Sequence, residues 1–318
     1  MKKKIFWCAL AVVIALVLTA AGGSDRRAAS DGTIRVGVAL QGRTPFVLSL
    51  EEHLQQNVAR WRDQGVNIQL NVQDGQNDAA RQITQIENFI TQRVDVILFN
   101  SISFDGAAPA VRAAHEAGIP LITLIGEVSN QNLAVSFVGS RHYDSGVMVM
   151  ENAIRMNGNS FRAVILQGVM GIDAQIQRMR GFNDVLARYP NITIVENQSA
   201  NWERPEAMRI MENWIQGGRQ FDVVLSQNDN MALGAVEALR AAGLGHIPVY
   251  GVDGDSDAIL AIRDGRMAGT ALMSAAGMAR YAIDYSVALA QGRRHEVQRE
   301  PSIPFEWIDS TNVQQFLR

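Results

Sequence analysis

The sequence alternates short apolar runs with longer segments of helical periodicity, and this alternation constrains the fold more than any other feature. The first example is a β-branched run at residues 34–40, followed by a segment at 47–61 in which apolar residues recur every three or four positions. The pattern repeats along the chain from residue 33 onward. Because nearly continuous apolar strands are buried on both faces, the pattern predicts parallel sheets with helices on both sides.

The alternation forms two similar series. The first is predicted to contain strands at 34–40, 68–72, 94–99 and 120–124, separated by helices at 47–61, 79–90 and 107–116. A connecting strand at 134–138 leads into the second series. That series is predicted to contain helices at 143–156, 174–188, 204–215, 231–242 and 255–263, with strands at 163–167, 192–196, 223–226 and 248–252. The remainder, 270–318, is predicted to hold one long helix and a short strand at 303–305.

The predicted fold class is therefore α/β, with two doubly wound parallel-sheet lobes joined by a multi-strand hinge. A chain of 318 residues is longer than one small core normally holds, which also favours two lobes. We expect an N-terminal lobe at 33–139 plus 274–301 and a C-terminal lobe at 140–273 plus 302–318. No Pro/Gly-rich linker separates the two series, so the connection is expected to be a hinge and not a flexible tether.

All lysines of the sequence lie at its start. Lys2, Lys3 and Lys4 precede an uncharged apolar run at residues 5–21 that ends in small residues. A basic start, an apolar centre and a small-residue end are typical of a secretory signal peptide. We therefore expect residues 1–21 to be a cleaved signal peptide that exports the protein to the periplasm.

The end of this run also resembles the lipoprotein cleavage motif, in the segment Leu-Thr-Ala-Ala-Gly at 18–22. Ala21 stands where a lipoprotein carries its lipidated cysteine. Release into the periplasm is therefore expected, rather than anchoring to the membrane.

Charge and cysteine content exclude several classes of protein. The chain carries 29 Lys and Arg against 32 Asp and Glu, and its cations are not clustered as a nucleic-acid surface requires. The only cysteine is Cys8, inside the expected signal peptide, so no disulfide or catalytic thiol is predicted. The sequence therefore predicts no nucleic-acid partner and no thiol chemistry.

Enzyme and metal motifs are also missing from the sequence. Residues 41–43, after the first strand, lack the glycine spacing of a dinucleotide fold, and neither a G-x-S-x-G elbow nor a phosphate loop occurs. The acidic run that starts at Asp253 departs from a calcium loop, because its sixth position is Ala258 and its twelfth is Asp264. We predict no catalytic residue, no metal site and no cofactor.

Polar and aromatic residues follow the predicted strands of both series, where ligands of open α/β sheets bind. They are Thr44, Phe46, Asn100, Trp202, Asn228 and Asp253. Each Asn or Asp also fits a helix N-cap, and each aromatic residue also fits a core position, so two roles remain open for them. Their recurrence at corresponding edges of both series favours one shared cleft.

Four segments carry a resemblance to a known family. QNDNMALGA from Gln227, VYGVDGDSDA from Val249, DGRMAGT from Asp264 and TPF from Thr44 resemble the sugar-binding proteins of bacterial ABC importers, in the ribose and galactose group of the type I periplasmic binding fold. The resemblance covers residues 33–318. The lactose-repressor family shares this fold, but a repressor carries a DNA-reading helix-turn-helix where this chain carries an export signal.

The resemblance implies a set of ligand-binding residues in both lobes. They are Phe46, which would stack on a sugar ring, Asn100, Arg178, Trp202, Asn228 and Asp253. Thr44, in the TPF triplet, is a further candidate. Aromatic rings suit the C–H faces of a sugar, while carboxylate, guanidinium and amide groups suit its hydroxyls.

The sequence departs at two places from the pattern of the ribose-binding members of this family. The protein is therefore not expected to bind ribose with the same contacts. Ile125 and Gly126 stand where the pattern has an Asp-Arg pair, and Met273 stands where it has a glutamine near the hinge. Glu127 is either a replacement acceptor or an exposed loop carboxylate. Glu127 and Met273 are further candidates for ligand contact.

The expected function is that of an extracytoplasmic solute-binding protein. It would close, as a monomer, on a sugar or polyol and deliver it to the permease and ATPase of an ABC transporter. The alternative is a periplasmic ligand-sensing receptor for a signalling or chemotaxis partner.

Overall fold

The computed structural model of the protein describes residues 32–317, so the expected signal peptide at 1–21 lies outside the described residues. The first sheet has five parallel strands in the order β2-β1-β3-β4-β5. These strands are β1 (Ile34–Leu40), β2 (Ile68–Asp74), β3 (Val96–Phe99), β4 (Leu121–Leu124) and β5 (Ser136–Val138). The helices between them are α1 (Pro45–Arg62), α2 (Ala79–Gln92) and α3 (Ala108–Glu116).

The second sheet has six strands in the order β11-β10-β9-β8-β6-β7, and only β11 runs antiparallel to its neighbour. Its strands are β6 (Arg162–Gln167), β7 (Thr193–Ser199), β8 (Val223–Ser226), β9 (Val249–Asp253), β10 (Gly269–Leu272) and β11 (Glu306–Asp309). The remaining α-helices of the described chain are α4 (His142–Asn157), α5 (Asp173–Leu186), α6 (Arg204–Gln216), α7 (Asp229–Ala241), α8 (Ser256–Arg263) and α9 (Ala275–Ala290). The predicted α/β class with two parallel-sheet lobes is confirmed.

The strand-to-helix turn after β1 shows how local sequence starts an element beside the cleft. The side chains of Val36, Val38 and Leu40 are fully buried, as expected for a strand covered on both faces. The hydroxyl of Thr44 then accepts a hydrogen bond from the backbone N–H of Val47 at 3.4 Å and caps α1, whose first residue is a proline. Phe46, in the first turn, is thereby fixed at the end of β1.

The chain crosses between the two sheets three times. It passes from β5 to α4, from β10 to α9, and from the segment after α9 to β11. Helix α9 packs against α1 beside the first sheet although it follows β10 of the second. The Ser136 hydroxyl and the Phe137 N–H donate to the carbonyls of Gln298 and Arg299 at 2.8 and 2.9 Å, which ties the third crossing to β5. The exact lobe boundaries given above remain a prediction.

The prediction for the C-terminal segment was wrong in one place and incomplete in another. Residues 303–305 form no strand; Ile303 and Phe305 are buried in the hydrophobic core, and the strand of this segment is β11, which starts at Glu306. Strand β10 was not predicted, because its small residues and short length carry little strand signal. Its place in the sheet is fixed by pairing with β9 and β11.

Candidate functional site

A cavity lies between the two sheets, beyond the carboxyl ends of their strands. The empty space at this place is about 540 Å³, part of which is open to solvent. All nine sequence-predicted candidates line it: Thr44, Phe46, Asn100, Glu127, Arg178, Trp202, Asn228, Asp253 and Met273. The structure thus brings the set together, while the role of each residue in ligand binding stays a prediction.

The strand order explains why the cavity lies where it does. In the first sheet β1 and β3 are neighbours, and in the second β6 and β8 are neighbours, so the strand order reverses at both places. Helices leave such a point on opposite faces of the sheet and open a crevice. Phe46 follows β1 and Asn100 follows β3, whereas Asn228 follows β8. Both crevices therefore open into the same cavity.

A buried ion pair forms the polar centre of the second lobe's wall. Arg178 and Asp253 are 2% and 6% exposed, and Arg178 Nη2 donates to Asp253 Oδ1 at 3.3 Å. Arg178 Nη1 donates to the backbone carbonyl of Gln227. Two acceptors fix the plane of the guanidinium, and Arg178 Nε is buried without a protein partner. The pair is preorganised for a ligand that supplies further donors and acceptors.

His142 supports this arginine from the start of α4. Its Nε2 lies 2.8 Å from the carbonyl oxygen of Ile125, which can only accept, so Nε2 carries the proton. Nδ1 is then an acceptor, and it lies 3.4 Å from Arg178 Nη2. Burial, and then the nearby Arg178, lower the pKa of His142 well below its ordinary value, so the ring is neutral. Sequence reasoning missed this residue, because nothing near it in sequence indicates Arg178.

Trp202 forms an aromatic wall of the cavity and is 5% exposed. Its ring lies 5.7 Å from the guanidinium carbon of Arg178, a cation–π distance. Its backbone φ is 68°, a region that non-glycine residues rarely adopt. A Cβ atom at Gly168 would lie 2.0 Å from the ring, so the absence of a side chain at 168 lets the indole occupy this position.

Asn100 is held in place by glutamines from two directions. Its Oδ1 accepts from the backbone N–H of Gln41 at 3.2 Å, and its backbone carbonyl accepts from Gln82 Nε2 at 2.8 Å. Gln82 is buried, and its Oε1 accepts from the N–H of Ile102 at 2.9 Å. This network fixes the amide at the end of β3. Gln41 also lines the cavity and was not predicted.

The helix-cap alternative is confirmed for one of the three polar strand-end residues. Asn228 Oδ1 caps α7 by accepting from the backbone N–H of Met231 at 2.9 Å, which leaves the Nδ2 group to donate toward a ligand. Asp253 ends β9, and the residue at the N-cap of α8 is Asp255, whose side chain makes no capping bond. Asn100 caps no helix. Among these three residues, capping and cavity lining therefore coexist only at Asn228; they also coexist at Thr44.

A second buried carboxylate, that of Asp229, supports the turn that carries Asp253. It accepts from the Thr270 hydroxyl at 2.7 Å and from the backbone N–H groups of Gly254 and Asp255 at 2.7 and 2.9 Å. Burial, and then the charge of Asp253, raise the pKa of Asp229 to about 8. Burial likewise raises the pKa of Asp253 to about 6, against the opposing effect of Arg178.

The raised pKa of Asp229 predicts that the free energy of unfolding decreases between pH 7 and pH 9. The folded state retains a proton that the unfolded state has lost, so raising the pH disfavours folding in this window. Because its pKa lies in the middle of this range, deprotonation of Asp229 should lower the free energy of unfolding by about 1.4 kcal/mol between pH 7 and pH 9. Urea unfolding at both pH values measures the change.

The matched comparison uses two variants. Asp229→Asn should flatten the pH dependence, whereas the exposed Glu116→Gln should keep that of the wild type. Equal slopes for Asp229→Asn and the wild type would refute the assignment to Asp229.

The two lobes touch at the mouth of the cavity. The backbone N–H of Phe104 donates to the carbonyl of Gly171 at 2.9 Å, and the N–H of Glu127 donates to Asp173 Oδ2 at 3.1 Å. Both bonds join the first lobe to the second directly beside the cavity. The structure therefore represents the closed arrangement of the cleft.

Asp173 was missed by sequence reasoning, because an acidic residue in the first turn of a helix is a common helix-stabilising feature. It is 6% exposed and lines the cavity. A Cβ atom at Gly126 would lie 3.3 Å from Asp173 Cβ, so the side-chain-free position at 126 adjoins the space that Asp173 fills. The ribose pattern places a polar side chain of the first lobe at position 126. In this chain the position is a glycine, and the carboxylate of Asp173 from the second lobe lies beside it.

Two kinds of feature are absent from the part of the chain that the structure describes. Among residues 32–317, no three His, Cys, Asp or Glu side chains are arranged to hold a metal ion. None of the helices in that range is both long and apolar enough to cross a membrane.

Comparison with known proteins gives a family match over most of the chain. The family model described as a periplasmic binding protein domain matches residues 36–294. The xylitol-binding protein of Mycolicibacterium smegmatis is 33% identical over 311 residues, an alignment that covers 98% of this chain and 86% of that protein. A putative rhizopine-binding protein of Rhizobium meliloti is 33% identical over 256 residues, which cover 78% of this chain and 82% of the relative.

Solved structures agree with this match. A solute-binding protein of an ABC transporter from Bacillus halodurans, solved with bound myo-inositol, superposes with a TM-score of 0.85 at 30% identity. The match covers 90% of this chain and 98% of that one. The myo-inositol-binding protein of Caulobacter, also bound to myo-inositol, gives a TM-score of 0.82 at 26% identity, with 89% and 95% coverage.

Proposed function

Because the chain belongs to the periplasmic binding protein family, whose members bind solutes outside the cytoplasm and are not enzymes, we propose that it binds a sugar or polyol for an ABC importer. The observation that carries the proposal is the closed cavity that Phe46 and Asn100 line from one lobe and Arg178, Trp202 and Asp253 from the other. A polyhydroxylated ligand fits it, because its C–H faces suit the aromatic rings and its hydroxyls suit the fixed polar groups.

The relatives narrow the ligand class in the same direction. Relatives are named for binding xylitol, rhizopine and ribose, and similar structures contain bound myo-inositol. In this chain Ile125 and Gly126 of the first lobe and Met273 after β10 line the cavity, and none of the three side chains offers a hydrogen bond comparable to those of the ribose pattern. A linear polyol or a cyclitol is therefore favoured over ribose bound as in the ribose-binding relatives.

Closure would couple binding to transport. A ligand that contacts both lobes binds the closed form better than the open form, and this differential affinity shifts the equilibrium toward closure. We propose that the closed protein, as a monomer, is recognised by the permease of an ABC transporter, which its ATPase drives. Cleavage after residue 21 would release the protein into the periplasm.

Calorimetry of the purified protein against a panel of pentoses, hexoses, linear polyols and cyclitols tests the ligand class. At least one linear polyol or cyclitol is expected to bind. At 100 times its dissociation constant it should stabilise the fold by about 2.7 kcal/mol, which a thermal-shift measurement detects. If no compound of the panel binds or stabilises the protein, the proposed ligand class is wrong.

Transport is tested by reconstituting the protein with its genomically neighbouring permease and ATPase in vesicles. Uptake of the identified ligand should require the binding protein. If ligand instead activates a sensor kinase and no uptake occurs, the signalling alternative is correct.

A further inference from the structure

The charges that line the cavity do not balance. Its four charged side chains are Arg178, Asp253, Glu127 and Asp173. Arg178 is the only cation among them, and it is hydrogen-bonded to Asp253 and to the carbonyl of Gln227. Two carboxylates thus face the cavity without a cation from its lining.

Asp173 is held in place but not neutralised. Its Oδ2 accepts from the backbone N–H of Glu127 at 3.1 Å, a bond that supplies no full charge. Burial raises the pKa of Asp173, opposed by hydrogen bonds from Glu127 and Gln177 and, as the smallest effect, by Arg178. The protein environment therefore leaves the carboxylate short of positive charge.

Glu127 is in a similar position on the opposite lobe. Burial, then Asp173 and Glu300, raise its pKa, while Arg141 and Arg299 oppose them. Both of these arginines are engaged elsewhere. Arg141 donates to Glu300 at 2.8 Å, and Arg299 donates to the carbonyls at 134 and 131 at 2.7 and 2.6 Å.

The position of these two carboxylates ties their charge to closure. Asp173 begins α5 of the second lobe, and Glu127 follows β4 of the first, so closure brings two anions together. Like charges that approach in a partly desolvated site disfavour the closed form. A cation between them reverses this effect and gives the ligand the differential affinity that closure requires.

We propose that the ligand carries a protonated amine, as in an amino-polyol or amino-cyclitol, and that its ammonium group lies between Asp173 and Glu127. This inference rests on the proposed function and names the ligand class of the same cavity. The ammonium donates up to three hydrogen bonds, while the hydroxyls of the same ligand reach Arg178, Asp253 and the amides. Bare polyols lack the group that neutralises the two carboxylates.

Matched pairs of compounds test the inference by calorimetry: xylitol and 1-amino-1-deoxyxylitol, myo-inositol and myo-inosamine, and glucose and glucosamine. In at least one pair the amine should bind at least about tenfold more tightly, the effect of a charge-assisted hydrogen bond. Within a pair, the advantage of the amine over the neutral compound should decrease as acid protonates the carboxylates, because the ammonium group then loses its counter-charge.

Asp173→Asn is the informative variant, because asparagine keeps an oxygen that can accept from the Glu127 N–H while it removes the charge. It should abolish the preference for the amine by weakening amine binding. The affinity for a neutral compound should not decrease, because removing one of the two like charges also removes their repulsion in the closed form. Glu116→Gln, on the exposed surface, should preserve the preference.

The outcomes separate this inference from the proposed function. If only neutral sugars or polyols bind, in these pairs or in the wider panel, the inference that the ligand carries an amine is wrong. The proposed function is then unaffected. An amine preference that survives in Asp173→Asn also overturns the assignment. If no sugar, polyol or amine binds, the proposed function itself is wrong.

Discussion

Replacing Asp253 with alanine is expected to lower the affinity for the ligand by about 30-fold or more, because truncating one member of a buried charge pair costs about 2–5 kcal/mol. Asp253 is 6% exposed, and its carboxylate is the ionic partner of Arg178. The variant loses the hydroxyl acceptor and leaves a buried guanidinium without its counter-ion. Calorimetry against the ligand found in the panel measures the loss.

The same change should also destabilise the ligand-free protein. Breaking a buried ion pair by removing one partner typically costs about 3–5 kcal/mol of stability. Asp222→Asn is the control, because Asp222 pairs with Arg162 at 2.8 Å on the exposed surface, where such pairs contribute about 1 kcal/mol or less. It should leave affinity unchanged.

Two results would contradict this account of Asp253. If Asp253→Ala binds the ligand with wild-type affinity, the carboxylate of Asp253 does not take part in ligand binding. Equal loss of affinity in Asp222→Asn would show that the effect is unspecific.

Replacing Gly168 with alanine should displace the Trp202 ring and weaken ligand binding by about tenfold or more, the equivalent of one lost stacking face. The added Cβ would lie 2.0 Å from two atoms of the six-membered ring, much closer than van der Waals contact. The indole is rigid and packs in the core of the second lobe, so it has to move as a unit. Because Trp202 also adjoins Arg178, the displacement disturbs the ion pair.

The overpacking itself should cost about 1–3 kcal/mol of stability, and a matched glycine separates this effect from the loss of binding. Gly37 lies in β1, where an added Cβ would be 2.6 Å from the ring of Phe89, a core residue outside the cavity. Gly37→Ala should lose comparable stability while its affinity stays within about threefold of the wild type. If both variants lose affinity equally, the role of Trp202 as a cavity wall is refuted.

The sequence by itself determined most of the fold, because periodicity in strands and helices is a local property. The strands at 34–40 and 223–226 have the predicted bounds, and every strand pair of the described chain is parallel except that of β10 with β11. The same reasoning missed β10 and predicted a strand at 303–305 where the structure has β11 at 306–309. Both strands are short, and sheet pairing, not composition, decides where they form.

The sequence also indicated many of the residues that line the cleft, since the carboxyl ends of parallel strands share one edge, although Gln41 and Asp173 were missed. Tertiary structure alone decided how they act together. Arg178 meets Asp253 across 75 positions of sequence, and His142 becomes the neutral acceptor beside Arg178. Asp173 faces Glu127 only because the lobes are closed. Such charge balance depends on distances between distant segments and on the water they exclude, and local sequence encodes neither.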